Sequence, residues 1–117
     1  CRPHCISNVS WAEYGALVRG IDLALCLMHS PHPSYPPLDL AASGAIVVTN
    51  RYLGKTDLGQ YSNNILCADL EVDSLVDALA RGAALAANDA EREKNYQASG
   101  LLRDWRMSFA TVLHSID

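Results

Sequence analysis

The sequence predicts an α/β fold in which a parallel sheet is flanked by helices. Three short, nearly continuous apolar runs occupy residues 22–28, 45–49 and 64–68. Runs of this length without polar alternation are typical of strands that are buried on both faces of a sheet. Helical patterns alternate with these runs, and strands that alternate with helices favour parallel pairing.

Capping residues and prolines define the first two helices. A helix is predicted over 10–20 because Ser10 and Glu13 form a capping box and apolar residues then recur at helical spacing. A second helix is predicted over 36–43, where two prolines suit a first turn that needs no amide donors. Gly44 is the expected stop of this helix.

Two further helices are predicted after the third strand. An amphipathic pattern runs from Asp73 to about Asn88, and another runs from Ala90 towards His114 with an interruption at Gly100. The last helix has more large apolar residues than a solvated helix needs, which predicts self-association of the chain through it. These residues are Leu101, Leu102, Trp105, Met107, Phe109 and Val112.

Length and composition restrict the class of protein. The 117 residues suit one domain, 1–117, and the first residue, Cys1, predicts that the chain is a fragment of a longer protein. No apolar run approaches the roughly 20 residues that span a bilayer. The net charge of −4 argues against a nucleic-acid partner, which needs a basic face.

The cysteines predict free thiols rather than a metal site. They occupy positions 1, 5, 26 and 67, with no Cys-x-x-Cys pair. Cys1, His4 and Cys5 lack a fourth ligand at a plausible spacing, and a closed zinc site needs four. We therefore expect no metal and no other cofactor.

The proline-rich segment 29–44 contains the predicted ligand site. Ligands of parallel sheets bind beyond the carboxyl ends of the strands, where loops lead into helix N-termini, and such an N-terminus favours a phosphate or diphosphate. Prolines in this loop remove amide donors, so the remaining amides are expected to face the ligand. The predicted diphosphate-binding residues are therefore His32, Ser34 and Tyr35.

Asp39 is the predicted contact for a sugar. It lies four residues after Tyr35, which places both on nearly one face of the second helix, and its carboxylate accepts hydrogen bonds from sugar hydroxyls. Asn50, Arg51 and Lys55 are weaker candidates in the loop after the second strand. The pattern favours ordinary solvated side chains for the two basic residues over ligand contacts.

The run PSYPPLDLAASGAIVVTN, residues 33–50, resembles the donor-site segment of GT-B glycosyltransferases, in which an acidic residue, a small-residue helix and a glycine precede a strand. The IDLAL run at 21–25 and the later SLVDAL helix extend the resemblance over most of residues 10–96. The proline-rich block is most similar to the WsaF-type rhamnosyltransferases. The resemblance implies a Rossmann-like, partial C-terminal domain that binds a nucleotide-sugar donor, with dTDP-β-L-rhamnose as the implied donor.

The resemblance also implies a biological role. We expect a cytoplasmic, hexosyltransferase-type enzyme of polysaccharide biosynthesis that transfers a sugar from a nucleotide-diphosphate donor to a glycan or other hydroxyl acceptor. A domain outside this chain is expected to hold the acceptor, so the chain alone should be inactive. Peripheral association of the parent protein with a membrane is a further expectation.

One departure from the family pattern leaves the catalytic residues unassigned. Many retaining GT-B enzymes carry two glutamates in this segment, and the second corresponds to Asp39 but the first to Pro31. The family's ribose-binding role therefore carries over to Asp39, whereas a catalytic acid at position 31 does not.

A non-catalytic interaction module that retains the fold is the alternative function. A different nucleotide enzyme is disfavoured because the chain has no Gly-x-Gly-x-x-Gly or Walker loop.

Overall fold

The computed structural model describes residues 3–32 and 35–99 of the chain. Within them, the helices and strands occur in the order that the sequence predicted. The elements are α1 (Trp11–Arg19), β1 (Leu23–Cys26), α2 (Tyr35–Ala42), β2 (Ile46–Asn50), β3 (Ile65–Ala68), α3 (Val72–Ala87) and α4 (Asp89–Gln97). The predicted α/β, Rossmann-like class is confirmed.

The three described strands form one parallel sheet in the order β1-β2-β3. The central strand, β2, is buried at each of its five residues. Its successive side chains point to opposite faces, so Val47 packs with α1 and α2 whereas Val48 packs with α3. Helices thus cover both faces of the sheet, which explains why the strand sequences are apolar without alternation.

The helix boundaries follow local hydrogen bonds. The Ser10 hydroxyl accepts a bond from the Glu13 amide at 3.2 Å, as expected of an N-cap. Gly44 ends α2 with a φ of 95°, a left-handed conformation that favours glycine. The Ala45 amide then bonds to the Leu40 carbonyl at 3.0 Å, which closes the helix end and directs the chain into β2.

Helix α4 is attached at the amino ends of the strands. Arg92 donates to the Gly44 carbonyl at 2.7 Å and to the Asp22 carboxylate at 3.0 Å. Asn95 donates to the Asn64 side chain at 3.0 Å, and both of these amides are buried. Because α4 occupies this end of the sheet, it leaves the carboxyl ends of the strands to the loops after β1 and β2.

The fourth predicted helix is described only as far as Gln97. The predicted interruption at Gly100 and the apolar residues from Leu101 to Val112 lie outside the described residues. Self-association through that segment therefore stays a prediction.

Candidate functional site

An open cavity of about 430 Å³ lies where the first turns of α1 and α2 meet. Its volume falls in the range of about 300–1,000 Å³ that is usual for small-molecule sites. Two of the predicted site residues, Tyr35 and Asp39, contribute to its wall. The cavity is lined by Val9, Ser10, Trp11, Tyr14, Tyr35, Pro36 and Asp39.

The Asp39 carboxylate is held by a tyrosine from the neighbouring helix. The Tyr14 hydroxyl donates a hydrogen bond to Asp39 Oδ2 at 3.1 Å. Burial and the nearby Asp39 charge raise the pKa of Tyr14, so the phenol stays protonated and remains a donor at neutral pH. No described residue donates a hydrogen bond to the other oxygen, Asp39 Oδ1. One carboxylate oxygen is therefore left for a ligand.

Exposed aromatic rings form much of the cavity surface. Trp11 is 87% exposed, and Tyr35 is 77% exposed. Trp11 stands edge-on to Tyr14, with ring centroids 6.1 Å apart and an interplanar angle of 85°. Aromatic faces beside a carboxylate suit a ligand that combines a flat or apolar face with hydroxyl groups.

Trp11 and Tyr14 were not predicted as site residues, because both fit the apolar face of an amphipathic helix. One signal was present for Trp11. It directly follows the N-cap Ser10, and the buried residue of α1 is Val18 in its last turn, so the first turn lies outside the core. The link between Tyr14 and Asp39 carried no sequence signal, since it joins two different helices.

The predicted diphosphate-binding residues have different environments. The His32 amide, which was expected to be free, instead donates to the Ser30 hydroxyl at 3.1 Å. A serine two residues earlier readily forms such a local turn, so the expectation of a free His32 amide is wrong for this conformation. Tyr35 begins α2 at the cavity, and Ser34 lies outside the described residues.

Asn50 and Arg51, two of the weaker candidates, bind other parts of the protein. The buried Asn50 side chain accepts from the Met28 amide at 2.7 Å and donates to the Met28 carbonyl at 2.8 Å. Arg51 forms an ion pair with Asp69 at 3.1 Å and donates to the Thr56 carbonyl at 3.2 Å. In this conformation both side chains organise the loops around the carboxyl end of the sheet.

Lys55 is not the solvated side chain that its loop position predicted. It is only 2% exposed, because backbone hydrogen bonds of 3.0 and 2.8 Å with Tyr52 fold the loop back. Its ammonium group has no hydrogen-bond partner within the described part of the chain. A buried ammonium without a partner is costly, so Lys55 is an exception among the described polar groups.

A row of small polar side chains crosses the sheet near Lys55. Thr49 pairs in register with Cys26 on β1 and with Cys67 on β3. The Thr49 hydroxyl is buried, and among residues 3–32 and 35–99 it has no partner. Burial raises the pKa of both the Cys26 and the Cys67 thiols, which are free. The carboxyl end of the sheet therefore holds a buried hydroxyl and two partly buried thiols.

The described residues form neither a metal-ligand cluster nor a membrane span. No group of three or more His, Cys, Asp or Glu side chains there is arranged to hold a metal ion. None of the described helices combines the length and the apolar character needed to cross a bilayer.

Comparison with known proteins identifies the family. Residues 1–80 match the family described as "WsaF, C-terminal domain". The chain is also 39% identical over 85 residues to the O-antigen biosynthesis protein RfbC of Myxococcus xanthus, an alignment that covers 67% of this chain and 7% of that protein. No solved structure matches the chain significantly. Since the family match includes the proline-rich segment and all three strands, the chain belongs to the WsaF C-terminal domain family, a family of GT-B glycosyltransferase domains.

Proposed function

We propose that this chain is the nucleotide-diphosphate-sugar-binding part of a glycosyltransferase, and that the cavity between α1 and α2 holds the nucleoside of the donor. The observation that carries the proposal is the Asp39 carboxylate, which lines an aromatic cavity with one oxygen available. Hydroxyls of a pentose are suitable donors to such an oxygen, and a base is a suitable partner for the exposed rings. Family membership supports the same role.

The donor diphosphate is proposed to lie at the N-terminus of α2. There the helix dipole stabilises negative charge, and the amides of Ser34 and Tyr35 are the proposed donors to the phosphates. The His32 amide joins them once it leaves Ser30. These donors would stabilise the departing diphosphate, and electrostatic stabilisation is usually the largest contribution to catalysis in sites of this kind. In this scheme the Asn50 side chain holds the loop after β1 in place. Arg51 and Lys55 are proposed to add positive charge near the diphosphate.

The wider activity is proposed from the relatives. The named function of the Myxococcus xanthus protein, O-antigen biosynthesis, favours a glycan acceptor that is bound by a domain outside this chain. We propose a hexosyl transfer from dTDP-rhamnose, carried out in the cytoplasm by a parent protein that associates peripherally with the membrane. The isolated chain, as a piece of the donor domain, would bind the donor without transferring its sugar.

Titration of the 117-residue chain with dTDP, UDP and GDP tests the donor site. At least one nucleotide should shift the backbone amide NMR signals of residues 35–39, and Asp39→Asn should weaken its binding about tenfold, because a charged acceptor is lost. The matched control is Asp73→Asn, an exposed aspartate on α3. The proposal fails if none of the three nucleotides perturbs residues 35–39.

A non-catalytic interaction module is the second candidate. It is favoured by Pro31, which stands where many retaining relatives carry a glutamate. Sugar transfer by the parent protein separates the two candidates. A donor site requires that Asp39→Asn lowers the transfer rate or raises the KM for the donor, whereas an interaction module predicts no change in either quantity.

A further inference from the structure

Two buried polar atoms near the carboxyl end of the sheet have no hydrogen-bond partner among residues 3–32 and 35–99. They are the Lys55 ammonium nitrogen and the Thr49 hydroxyl oxygen. A buried polar group without a partner costs free energy, and an ammonium costs most because it also carries a charge. Both groups therefore favour a ligand that can accept hydrogen bonds from them.

The two atoms belong to the same face of the sheet. Thr49 follows Val47 by two residues on β2, and Val47 packs on the face that α2 covers. Lys55 precedes Leu58, which packs in the same cluster as Val47. Cys67 lies close to both groups, because it is the register partner of Thr49 and the Lys55 charge opposes the rise in the Cys67 pKa that burial causes. The ammonium and the hydroxyl are therefore neighbours of one thiol.

The groups around Thr49 are mainly hydrogen-bond donors. An ammonium has three donors and no acceptor, and the Thr49 hydroxyl adds a further donor. The Cys26 and Cys67 thiols flank Thr49 in the register of the sheet, and burial raises their pKa values, so both stay protonated at neutral pH. Asp57, the nearest acid to Lys55 along the chain, is exposed and accepts a bond from the Gly59 amide at 2.8 Å. A positively charged set of donors suits an anion.

We propose that Lys55 and Thr49 form a buried binding site for a small monovalent inorganic anion such as chloride. Burial of both side chains favours a small ion over a nucleotide, and one negative charge offsets one ammonium. The site is separate from the cavity between α1 and α2, which neither residue lines. While the anion is bound, it offsets the Lys55 charge, so that Arg51 alone would add positive charge near the donor diphosphate.

Urea unfolding of the 117-residue chain in mixtures of sodium chloride and sodium gluconate tests the site. The ionic strength is kept constant, and gluconate serves as the reference because it is too large for a buried site of this kind. Once chloride exceeds its dissociation constant, each further tenfold rise in chloride should lower the unfolding equilibrium constant of the native chain about tenfold, because one ion binds the folded state.

Two variants test the two donors separately. Lys55→Met should lose the chloride dependence, and in gluconate alone it should be more stable than the native chain because the unpaired ammonium is gone. Thr49→Val replaces the hydroxyl with a methyl group of similar size and should raise the chloride dissociation constant roughly three- to tenfold, the value of one hydrogen bond. The matched control is Lys94→Met, which changes an exposed lysine and should keep the native dependence.

The general effect of salt on stability is common to all of these chains, so the difference between native chain and variant reports the bound ion. Equal stability of the native chain at every ratio of chloride to gluconate would overturn the proposal, and that measurement needs no variant. A chloride dependence that a folded Lys55→Met retains in full would also overturn it, because the ion would then bind elsewhere. If Lys55→Met does not fold, an unchanged chloride dissociation constant in Thr49→Val would overturn it.

Discussion

Asn50 and Met28 exchange two hydrogen bonds, one from the Met28 amide to Asn50 Oδ1 and one from Asn50 Nδ2 to the Met28 carbonyl. Asn50 ends β2, and Met28 lies just beyond β1 in the loop that leads to α2. One fully buried amide thus serves both polar backbone groups of Met28. It fixes the start of the proline-rich loop relative to the sheet.

Replacing Asn50 with leucine should lower the free energy of unfolding by about 2–4 kcal/mol. The loss arises because two backbone groups of Met28 would lose their partners in a part-buried environment, at about 1–3 kcal/mol for each group when fully buried. Urea unfolding measures the change. Asn63→Leu, at an exposed position, should stay within about 0.5 kcal/mol of the native chain. Equal stability of Asn50→Leu and the native chain would show that water replaces the lost bonds.

Replacing Lys55 with methionine should raise the free energy of unfolding by about 1–3 kcal/mol. Methionine fills most of the same buried space and removes the cost of an ammonium group that has no partner in the described structure. Urea midpoints of Lys55→Met and of Lys94→Met should be compared, since Lys94 is exposed and should show little effect. A destabilised Lys55→Met would show that the ammonium has a stabilising partner, such as bound water or an anion.

The Cys26 thiol should make stability depend on pH in the alkaline range. Burial raises its pKa above the ordinary value of 9.0, so the native state holds the thiol proton more tightly than the unfolded state does. Its contribution to stability is complete below pH 9.0 and is lost as the pH rises through the folded-state pKa. Cys67 and Tyr14 contribute with the same sign, because their pKa values are also raised.

Urea unfolding under reducing conditions at pH 8.0 and at higher pH values measures this dependence. Cys26→Ala should lose less stability across the range than the native chain loses, whatever its stability at pH 8.0. Cys5→Ala changes an exposed thiol and should follow the native chain. An identical pH dependence for Cys26→Ala and the native chain would exclude Cys26 as a source of the alkaline loss.

The fold was predictable because it depends on patterns within short segments. Strands that are buried on both faces have continuous apolar sequences. The helix cap at Ser10 and the helix stop at Gly44 are local signals, and the structure confirms both. The predicted bounds of the strands were less accurate. The predicted strand 22–28 is four residues long in the structure, Leu23–Cys26, because pairing with β2 fixes its length.

Only part of the candidate site was predictable. Tyr35 and Asp39 lie on one helix, so helical spacing was sufficient to bring them together at the cavity. The contact between Tyr14 and Asp39 depends on how two helices pack, and the burial of Lys55 depends on how a long loop folds. Such contacts between distant segments leave no periodic signal in the sequence.

Replacing Arg92 with methionine should detach α4 from the amino ends of the strands. Arg92 is the donor to both the Gly44 carbonyl and the Asp22 carboxylate, and its side chain is largely buried. Loss of these bonds should lower the free energy of unfolding by about 2–4 kcal/mol, since the bond of the charged Arg92 to the Gly44 carbonyl contributes about 1.5–3 kcal/mol and the pair with the exposed Asp22 carboxylate adds up to about 1 kcal/mol. Arg81→Met removes an exposed ion pair with Asp77 and should cost no more than about 0.5 kcal/mol.

Hydrogen exchange of the α4 amides measures the local effect. Exchange should be faster in Arg92→Met and should keep the native rates in Arg81→Met. Equal exchange in the two variants would show that the buried amides Asn64 and Asn95 are sufficient to hold α4.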